Sequence, residues 1–423
     1  MINRFIKDKE SFLAFRFIDY RRFIFSKFML TLALQIQFVV ISWQVYQLTH
    51  DFLALGLLGL FEAIPAVTLA LFGGYISDRN DRQKIVFIIM MMQMLCSTAL
   101  VFISYHYTSN PGEVETVFPY YVIMFFVGLL RGFYSPAQFP LMTQLVPREA
   151  YANSSAWNST FWHIAVVVGS SIGGLLLAFF GANVVYIIVV FCLLLGVVQI
   201  YRIPPQPPQS VKQGESVKDS ITQGLSFVFK NQMIFGAMLL DLIAVLFGGA
   251  TAMLPVFASE VLHVGETGFG ILRAAPFVGS VVMALYMTRY PPLKNSGKKL
   301  LACVAGFSLC MIFFALSKNF YLSFAILVLS GAFDNVSVVI RSMIVQFFTP
   351  DEMRGRVSSV STMFISSSNE IGAFESGFAA KLIGLVPSVV IGGGVAILSV
   401  GGAFAWLPEL RKLDLQKEMK SER

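Results

Sequence analysis

Ionisable side chains inside long apolar stretches are the groups of this chain best placed to do chemistry. A charge in the middle of a lipid bilayer costs at least about 2.5–3.5 kcal/mol unless it is paired or hydrated. Such groups therefore face the inside of a helix bundle or a watery cavity, where a carboxylate can exchange a proton as its surroundings change. The residues of this class are Asp334, Arg131, Arg341, Glu62, Arg273, Asp241, Glu370 and Glu375.

Asp334, Arg131 and Arg341 are the primary candidates for proton exchange. Arg341 follows Asp334 by seven residues, which is two helical turns along the same face. Arg131 and Gln138 repeat that spacing, so each pair predicts a polar stripe on its helix. The alternative interpretation is a static buried ion pair that holds the helices together.

Glu62, Arg273, Asp241, Glu370 and Glu375 are second-ranked candidates. Glu370 and Glu375 are five residues apart, about 140° around a helix, so we do not expect both to face one cavity. Either of them could pair with Arg273, and the spacing does not choose between them.

Twelve apolar stretches must position these charges. The 423 residues are 56% hydrophobic and only 13% charged, against about 25% charged in an ordinary soluble domain. A membrane helix needs about 20 mostly apolar residues, so the sequence predicts an all-α membrane protein. The predicted spans are residues 25–48, 52–76, 85–105, 119–142, 157–180, 183–202, 233–257, 267–289, 299–317, 320–347, 357–384 and 386–407.

The distribution of positive charge predicts the topology. Of the 31 Lys and Arg, only Lys318 and Lys381 lie toward the predicted outer side, and Arg131, Arg273 and Arg341 lie inside spans. This positive-inside bias predicts that both termini are cytoplasmic. The net charge of +7 therefore matches an anionic inner leaflet and predicts no nucleic-acid partner.

A polar stretch after Tyr201 divides the spans six and six. Its prolines and charges, in RIPPQPPQSVKQGESVKDS, forbid a membrane helix. The following ITQGLSFVFKNQ is either a short amphipathic helix on the inner membrane surface or a plain linker. The predicted organisation is a cytoplasmic N-terminal segment (1–24), a six-helix bundle (25–202), a cytoplasmic linker (203–232), a second six-helix bundle (233–407) and a cytoplasmic tail (408–423).

The two groups of six spans resemble each other. The fourth and tenth spans align at an offset of 203 residues, and the second and eighth at an offset of 211. In this alignment Glu62 falls on Arg273, and Arg131 falls on Asp334. Parallel repeats of this kind are a transporter design, in which the substrate site lies between the halves near the midplane.

Enzyme chemistry is not expected. The four cysteines, Cys96, Cys192, Cys303 and Cys310, lie in apolar stretches without metal-ligand spacing, and the histidines complete no metal cluster or nucleophilic triad. We therefore predict no catalytic residue, no metal and no cofactor. A phosphate-binding Gly-x-x-x-x-Gly-Lys-Ser/Thr loop is also missing, which disfavours an ATP-driven pump.

The loop after the second span resembles the signature loop of the major facilitator superfamily. In GGYISDRNDRQK, the residues Gly74, Asp78, Arg79, Arg82 and Lys84 match or nearly match that signature. Asp81 replaces the usual glycine, and we expect it to adopt the left-handed turn that Asp tolerates. GLLRGFYSPAQFPLMTQLVPREAYANSSAWNS and TPDEMRGRVSSVSTMFISSSNEIG further resemble the macrolide- and enterobactin-type efflux branch.

One motif departs from this resemblance. Antiporters of the superfamily often have Gly-Pro-x-x-Gly-Gly on the fifth helix, whereas this chain has Gly169-Ser170-Ser171-Ile172-Gly173-Gly174. The glycines still permit close helix packing. Because the proline is missing, this motif is weaker evidence for export. Fold-level analogy alone does not determine the direction of transport.

The resemblance implies a fold and roles for particular residues. It implies two pseudo-symmetric bundles, with Asp78 near Arg356 and Val357 at the start of the eleventh helix. There a carboxylate favours the positive helix end, and the contact breaks when the cytoplasmic side opens; the alternative is an ordinary solvated basic loop. It also implies that helices one, four, seven and ten line the cavity. Substrate contacts are then expected from Gln37, Trp43, Gln44, Tyr134 and Gln138, with helix packing or interfacial anchoring as the alternative for Trp43.

The resulting prediction is a secondary transporter in a bacterial inner membrane. It would export lipophilic or amphipathic small molecules, drugs or siderophores, by proton antiport with alternating access. The alternatives are nutrient uptake or lysolipid flipping by the same fold, and a non-transporting membrane receptor. The expected partners are a small-molecule substrate, protons and the lipid bilayer, and the expected state is a monomer because the fold needs only one chain.

Overall fold

The protein is helical throughout the part of the chain that the structure describes. A computed structural model describes residues 12–109, 116–207, 217–350 and 353–421, and within these ranges it contains no strand. Helices suit an apolar chain because each satisfies its own backbone hydrogen bonds, which a lipid environment cannot do. The predicted all-α fold class is confirmed.

Long helices account for most of these residues. The helices are α1 (Ile18–Thr49), α2 (Phe52–Arg79), α3 (Arg82–Ser109), α4 (Phe118–Gln144), α5 (Tyr151–Tyr201), α6 (Val217–Lys230), α7 (Gln232–Gly248), α8 (Gly265–Arg289), α9 (Ser296–Leu316), α10 (Phe320–Phe348), α11 (Arg354–Ile383) and α12 (Leu385–Trp406). Shorter elements are the 3₁₀ turns Leu13–Arg16, Arg148–Ala150 and Ala250–Met253, the helical turn Leu254–Val256, the π-helical turn Phe257–Val261, and the helices Pro408–Lys412 and Leu415–Ser421.

The number of membrane-spanning segments is consistent with the twelve predicted. Ten helical stretches in the described ranges are long and apolar enough to cross a membrane. One of them, Asn153–Tyr201, has 49 residues, more than twice the length of a typical span. It bends at Gly181, whose φ of 71° and ψ of 165° are available only to glycine. The helix Arg354–Ile383, with 30 residues, lies outside the ten.

The predicted seventh span, 233–257, is not one continuous helix. α7 ends at Gly248, and the chain continues through 3₁₀, α and π turns to Val261. Gly249 has no room for a side chain, because a Cβ there would lie 2.6 Å from the Val245 carbonyl oxygen. π turns are rare and are frequently found at functional sites.

The chain divides into two compact units. One consists of residues 1–44 and 64–213, and the other of residues 45–63 and 214–423. The end of α1 and the first part of α2 therefore pack with the second unit. The change from one unit to the other at residue 213 falls inside the linker predicted at 203–232.

Glycines bring helix backbones into contact within the first unit. A Cβ on Gly73 of α2 would lie 2.5 Å from the Gly132 carbonyl oxygen of α4. Gly169 and Gly173 of α5 pack in the same way on α1, at Leu32 and Ile36 respectively. Close contact through small residues is a main source of helix association in membranes.

The second unit contains still closer contacts. A Cβ on Gly331 of α10 would lie 1.8 Å from the Pro276 carbonyl oxygen of α8, and one on Gly279 of α8 would lie 1.8 Å from that of Val328. No side chain larger than hydrogen fits at these positions without moving a backbone. α8 and α10 are therefore held as a tightly packed pair.

Candidate functional site

A buried ion pair joins two helices of the second unit. The Arg341 guanidinium of α10 donates to the Asp241 carboxylate of α7, and the two residues are only 8% and 6% exposed. Asn231 and Asn319 cap the N-termini of these helices through their side chains. The sequence placed Arg341 and Asp334 on one helix face, whereas the structure pairs Arg341 with Asp241.

The ion pair forms part of the wall of a cavity between α7, α10 and α11. The cavity has a volume of about 310 Å³, at the small end of the range for drug-sized ligands. Its polar lining residues are Asp241, Arg341, Ser342, Gln346, Thr349 and Ser361. Its apolar lining residues are Ala237, Met238, Val338, Val345, Phe364 and Ile365.

Asp241 also lines a second, smaller cavity. This cavity has a volume of about 10 Å³, the space needed for about one water molecule. Asp334 and Ser337 of α10 and Cys303 of α9 line it as well. Asp334 is half-buried. The two carboxylates, Asp241 and Asp334, therefore line one water-sized space, and Asp241 lines the larger cavity as well.

A second group of buried charges lies on α2, α8 and α11. Arg273 of α8 interacts electrostatically with Glu62 of α2 and Glu370 of α11. Gly59 of α2 packs closely against α11, because a Cβ there would lie 3.0 Å from the Ala373 Cβ. The structure thus resolves the choice that the spacing left open: Glu370, and not Glu375, faces Arg273. It also brings together positions 62 and 273, which the internal repeat aligns.

Polar contacts at the tip of the α1–α2 hairpin escaped the sequence analysis. The Tyr46 hydroxyl donates to the Glu260 carboxylate, which the π turn presents. Lys381 of α11 forms an ion pair of 2.7 Å with Asp51. No periodicity or motif marks these residues as partners, because more than 200 positions separate each pair.

Two of the predicted substrate contacts bind other protein groups in the first unit. The Gln44 amide donates to Ser104 Oγ at 2.9 Å, and its oxygen accepts from the hydroxyls of Tyr186 at 2.7 Å and Tyr120 at 3.2 Å. Gln37 accepts a hydrogen bond of 2.5 Å from the hydroxyl of Ser97. These amides therefore connect α1 to α3, α4 and α5.

The other predicted contacts differ in exposure. Trp43 is buried in α1, with 6% of its surface exposed. Tyr134 and Gln138 of α4 are half-buried, and Arg131, three residues before Tyr134, is exposed. Within the described residues, the buried Gln138 side-chain oxygen accepts no hydrogen bond, so its acceptor capacity is unused. Arg131 belongs to the first unit, whereas Asp334 and Arg341 belong to the second.

The loop between α2 and α3 is held by Asp81. Its carboxylate caps α3 by accepting from the backbone N–H of Gln83 at 3.0 Å, and it accepts from Gln206 N–H at 2.9 Å. The prediction of a left-handed turn at Asp81 is wrong, because the backbone φ of Asp81 is not positive. A helix cap explains the residue instead.

The other signature residues of this loop differ in exposure. Arg79 and Lys84 are exposed, and Arg82 is half-buried. Gly74 and the side chain of Asp78, which the signature includes, lie outside the described part of the structure.

The four cysteines form no disulfide, and no metal site is found among the described residues. Cys96, Cys192, Cys303 and Cys310 are free thiols, and Cys310 is buried. Across the described ranges, no three His, Cys, Asp or Glu side chains are grouped so that they could hold a metal ion.

Comparisons with known proteins agree on the class of protein. Residues 12–423 match the family described as transmembrane secretion effector. The uncharacterized MFS-type transporter YfmI of Bacillus subtilis is 22% identical over 378 residues, which cover 86% of this chain and 91% of the relative. The enterobactin exporter EntS of Shigella boydii is 23% identical over 387 residues, or 90% of each protein. A bacterial homologue of the human lysosomal transporter Spinster, in an inward-facing and unoccupied conformation, superposes with a TM-score of 0.71 at 14% identity and covers 97% of this chain and 98% of its own.

Proposed function

The chain belongs to the transmembrane secretion effector family of the major facilitator superfamily, and from this premise we propose that it is a proton-coupled exporter. It is a multi-pass membrane transporter and not an enzyme, as predicted. We propose that it moves lipophilic or amphipathic small molecules out of the cytoplasm by proton antiport with alternating access. The family description and the exporter among its relatives support this direction.

The observation on which the proposal rests is the group of charges between α7 and α10. Asp334 and Asp241 line one water-sized cavity, and Arg341 neutralises Asp241. A carboxylate in such a place exchanges its proton when water gains or loses access to it. Alternating access provides this change, because each conformation opens the site to a different side of the membrane.

The proposed setting is the inner membrane of a bacterium, with both termini in the cytoplasm. The Lys and Arg distribution supports this orientation. One chain completes the fold, so we propose that the monomer transports its small-molecule substrate. Among the substrate contacts predicted from the first unit, we favour Tyr134 and Gln138. Gln37 and Gln44 form hydrogen bonds with other protein groups, and Trp43 is buried.

The loop between α2 and α3 is proposed to act as a gate on the cytoplasmic side. Asp81 ties the loop to Gln206 and so gives it a defined conformation. Asp78 would bind the start of α11 in one conformation and release it in the other. Asp78→Asn should therefore slow transport without reducing the amount of folded protein, and transport at the unaltered rate would refute the gate.

Proton movement in proteoliposomes tests the proposed function. Vesicles with an internal pH dye and an imposed pH gradient would be challenged with lipophilic cations, macrolides, siderophores and lysolipids. We expect at least one compound to dissipate the gradient through the unaltered protein and not through Asp334→Asn. Glu409→Gln, which neutralises an exposed carboxylate, is the matched control and should behave like the unaltered protein.

The opposite results separate the alternatives. Folded protein that responds to no compound overturns proton-coupled export. Headgroup-dependent movement of a lysolipid without proton movement would identify a flippase, and accumulation of a nutrient with the gradient would identify an uptake transporter. Full proton movement in Asp334→Asn would retain antiport but remove Asp334 from it.

A further inference from the structure

We infer that the first unit binds the anionic head of an amphipathic molecule at Lys27, where α1 meets α5. This site goes beyond the proposed export and does not depend on its direction or on its coupling to protons. It is built from three side chains, here called the donor group: the Lys27 ammonium, the Thr31 hydroxyl and the Asn158 amide. A phosphate or carboxylate head is the chemistry that such a group fits.

Lys27 is a positive charge inside a long apolar helix, and no carboxylate lies beside it. It is half-buried in α1, and its ammonium donates to the side-chain oxygen of Asn158 in α5 at 2.8 Å. Among the described residues Lys27 forms no ion pair. The neutral amide oxygen satisfies one of the three N–H groups of the ammonium and leaves its charge without compensation.

The first unit has no acidic side chain within the membrane to compensate this charge. The acidic residues inside the predicted spans, Glu62, Asp241, Asp334, Glu370 and Glu375, all belong to the second unit. The span residues of the first unit include Lys27 and Arg131 but no Asp or Glu; they are residues 25–44, 64–76, 85–105, 119–142, 157–180 and 183–201. A charge inside a membrane needs pairing or hydration, and an anion bound beside Lys27 provides the pairing.

Two further donors next to Lys27 are unused. Thr31 follows Lys27 by four residues, on the same face of α1, and its hydroxyl forms no hydrogen bond with a described residue. Other helical threonines, such as Thr98 and Thr160, donate to the carbonyl oxygen four residues earlier. The Asn158 oxygen already accepts from Lys27, and the amide N–H groups of Asn158 donate to no described residue. The donor group therefore presents a positive charge together with unused donors.

Aromatic rings beside the donor group suit the apolar tail of a ligand. Phe28, next to Lys27 in the chain, contacts Phe161 with ring centroids 5.8 Å apart. Trp157, next to Asn158, lies 5.9 Å from Phe161. All three rings are only half-buried, so part of their apolar surface stays accessible. An amphipathic anion uses both the charge and the rings, whereas an inorganic anion uses the charge alone.

The depth of Lys27 places a bound head near the membrane surface. The midpoint of α1, Ile18–Thr49, falls between residues 33 and 34, so Lys27 lies about 10 Å before it along the helix axis. With α1 centred in the bilayer, the hydrocarbon core extends about 15 Å from that midpoint. The lysine stem covers the remaining distance by snorkelling, so an amphipathic anion in this leaflet reaches the ammonium.

Charge chemistry distinguishes an anion from other ligands at this place. A cation would be repelled, because it adds to a positive charge that has no counter-charge. A neutral molecule accepts hydrogen bonds from the donor group but leaves the charge uncompensated. Only an anionic oxygen group accepts from the donors and neutralises Lys27.

Hexadecyl phosphate and hexadecyltrimethylammonium test the inference, because they have the same chain and opposite charge. Native mass spectrometry of the full-length protein, released from nonionic micelles at pH 7, would count the bound molecules as each probe is titrated. We expect one hexadecyl phosphate to bind more tightly than any further copy. We expect hexadecyltrimethylammonium not to displace it.

Variants assign the bound molecule to the donor group. Lys27→Met removes the charge at similar length and should weaken this binding by about tenfold to a hundredfold, the range of a charge-assisted hydrogen bond. Lys298→Met removes an exposed lysine of the second unit, is the matched control and should leave the affinity unchanged. Asn158→Asp gives Lys27 an internal counter-charge and should also abolish the binding. If Lys27→Met does not fold, Asn158→Asp, which retains Lys27, still decides.

Two sources can supply the anionic head, and they are told apart by what happens during purification and transport. Phosphatidylglycerol that stays bound to the purified protein and is lost from Lys27→Met identifies a resident lipid. Movement of hexadecyl phosphate across a proteoliposome membrane, lost in Lys27→Met and retained in Lys298→Met, identifies a transported anion. Either result supports the site.

Three results would overturn the inference: equal loss of affinity in Lys27→Met and Lys298→Met, displacement by hexadecyltrimethylammonium, or full binding in Asn158→Asp. The first would show a general attraction to positive surface. Proton-coupled export of other compounds without Lys27-dependent binding would refute the anion site alone. Lys27-dependent binding without any proton movement would refute the proposed coupling alone.

Discussion

The energetics of the Asp241–Arg341 pair can be predicted from its burial. Replacing Arg341 with Met leaves the Asp241 carboxylate buried without its counter-charge, which typically costs about 3–5 kcal/mol. The carboxyl can limit this loss by holding a proton. Because free Asp is half protonated near pH 3.9, keeping it protonated at pH 7 costs about 4 kcal/mol, and at pH 5 about 1.5 kcal/mol.

Arg341→Met should therefore be destabilised by up to about 4 kcal/mol at pH 7 and by much less at pH 5. The sign follows from the proton count: the native variant binds a proton that the unfolded chain has lost above about pH 4, so its stability falls as the pH rises. The double variant Asp241→Leu/Arg341→Met removes both charges. It should lie within about 1 kcal/mol of the unaltered protein or be more stable.

Equilibrium unfolding in mixed micelles at pH 7 and pH 5 is the assay. Lys381→Met is the control, because its ion pair with Asp51 is exposed, with 49% and 36% of the two side chains accessible, and should contribute no more than about 1 kcal/mol. The reasoning fails if Arg341→Met loses under 1 kcal/mol at pH 7, or if the double variant is as unstable as the single one. A loss that does not depend on pH would show that packing, and not charge, is responsible.

Three further substitutions test the helix contacts, each by the change in thermal unfolding midpoint. Gly331→Ala should cost about 1–3 kcal/mol, because its Cβ would lie 1.8 Å from the Pro276 carbonyl oxygen, whereas Gly394→Ala, with nothing within 4 Å, should be neutral; equal midpoints would contradict the close packing. Gly181→Ala should cost about 1–3 kcal/mol through strain at its positive φ, and an unchanged midpoint would argue for a relaxed bend. Gln44→Leu removes three hydrogen bonds at about 0.6 kcal/mol each in a membrane, about 2 kcal/mol together, and a stabilised variant would refute its structural role.

Features that depend on neighbouring residues were predictable from the sequence. The apolar length of each span, the Pro-rich interruption after Tyr201 and the change of direction near residue 181 are local properties, and the structure has helices and a bend at these places. The family signature is local as well, which is why the family could be predicted and confirmed. Buried charges were also visible in the sequence, because any charge inside a long apolar stretch stands out.

The partners of those charges were decided by the tertiary structure. Arg341 contacts Asp241, 100 positions earlier, rather than Asp334 on its own helix face, and Arg273 faces Glu370 rather than Glu375. Asp81 caps a helix where a left-handed turn was expected, because the cap also binds Gln206 from a distant segment. The sequence by itself determined which stretches form long helices and which charges lie within them, since both follow from the local run of apolar side chains. Which charges meet depends on helix rotation and approach, and these are set by glycine contacts between segments far apart in the chain.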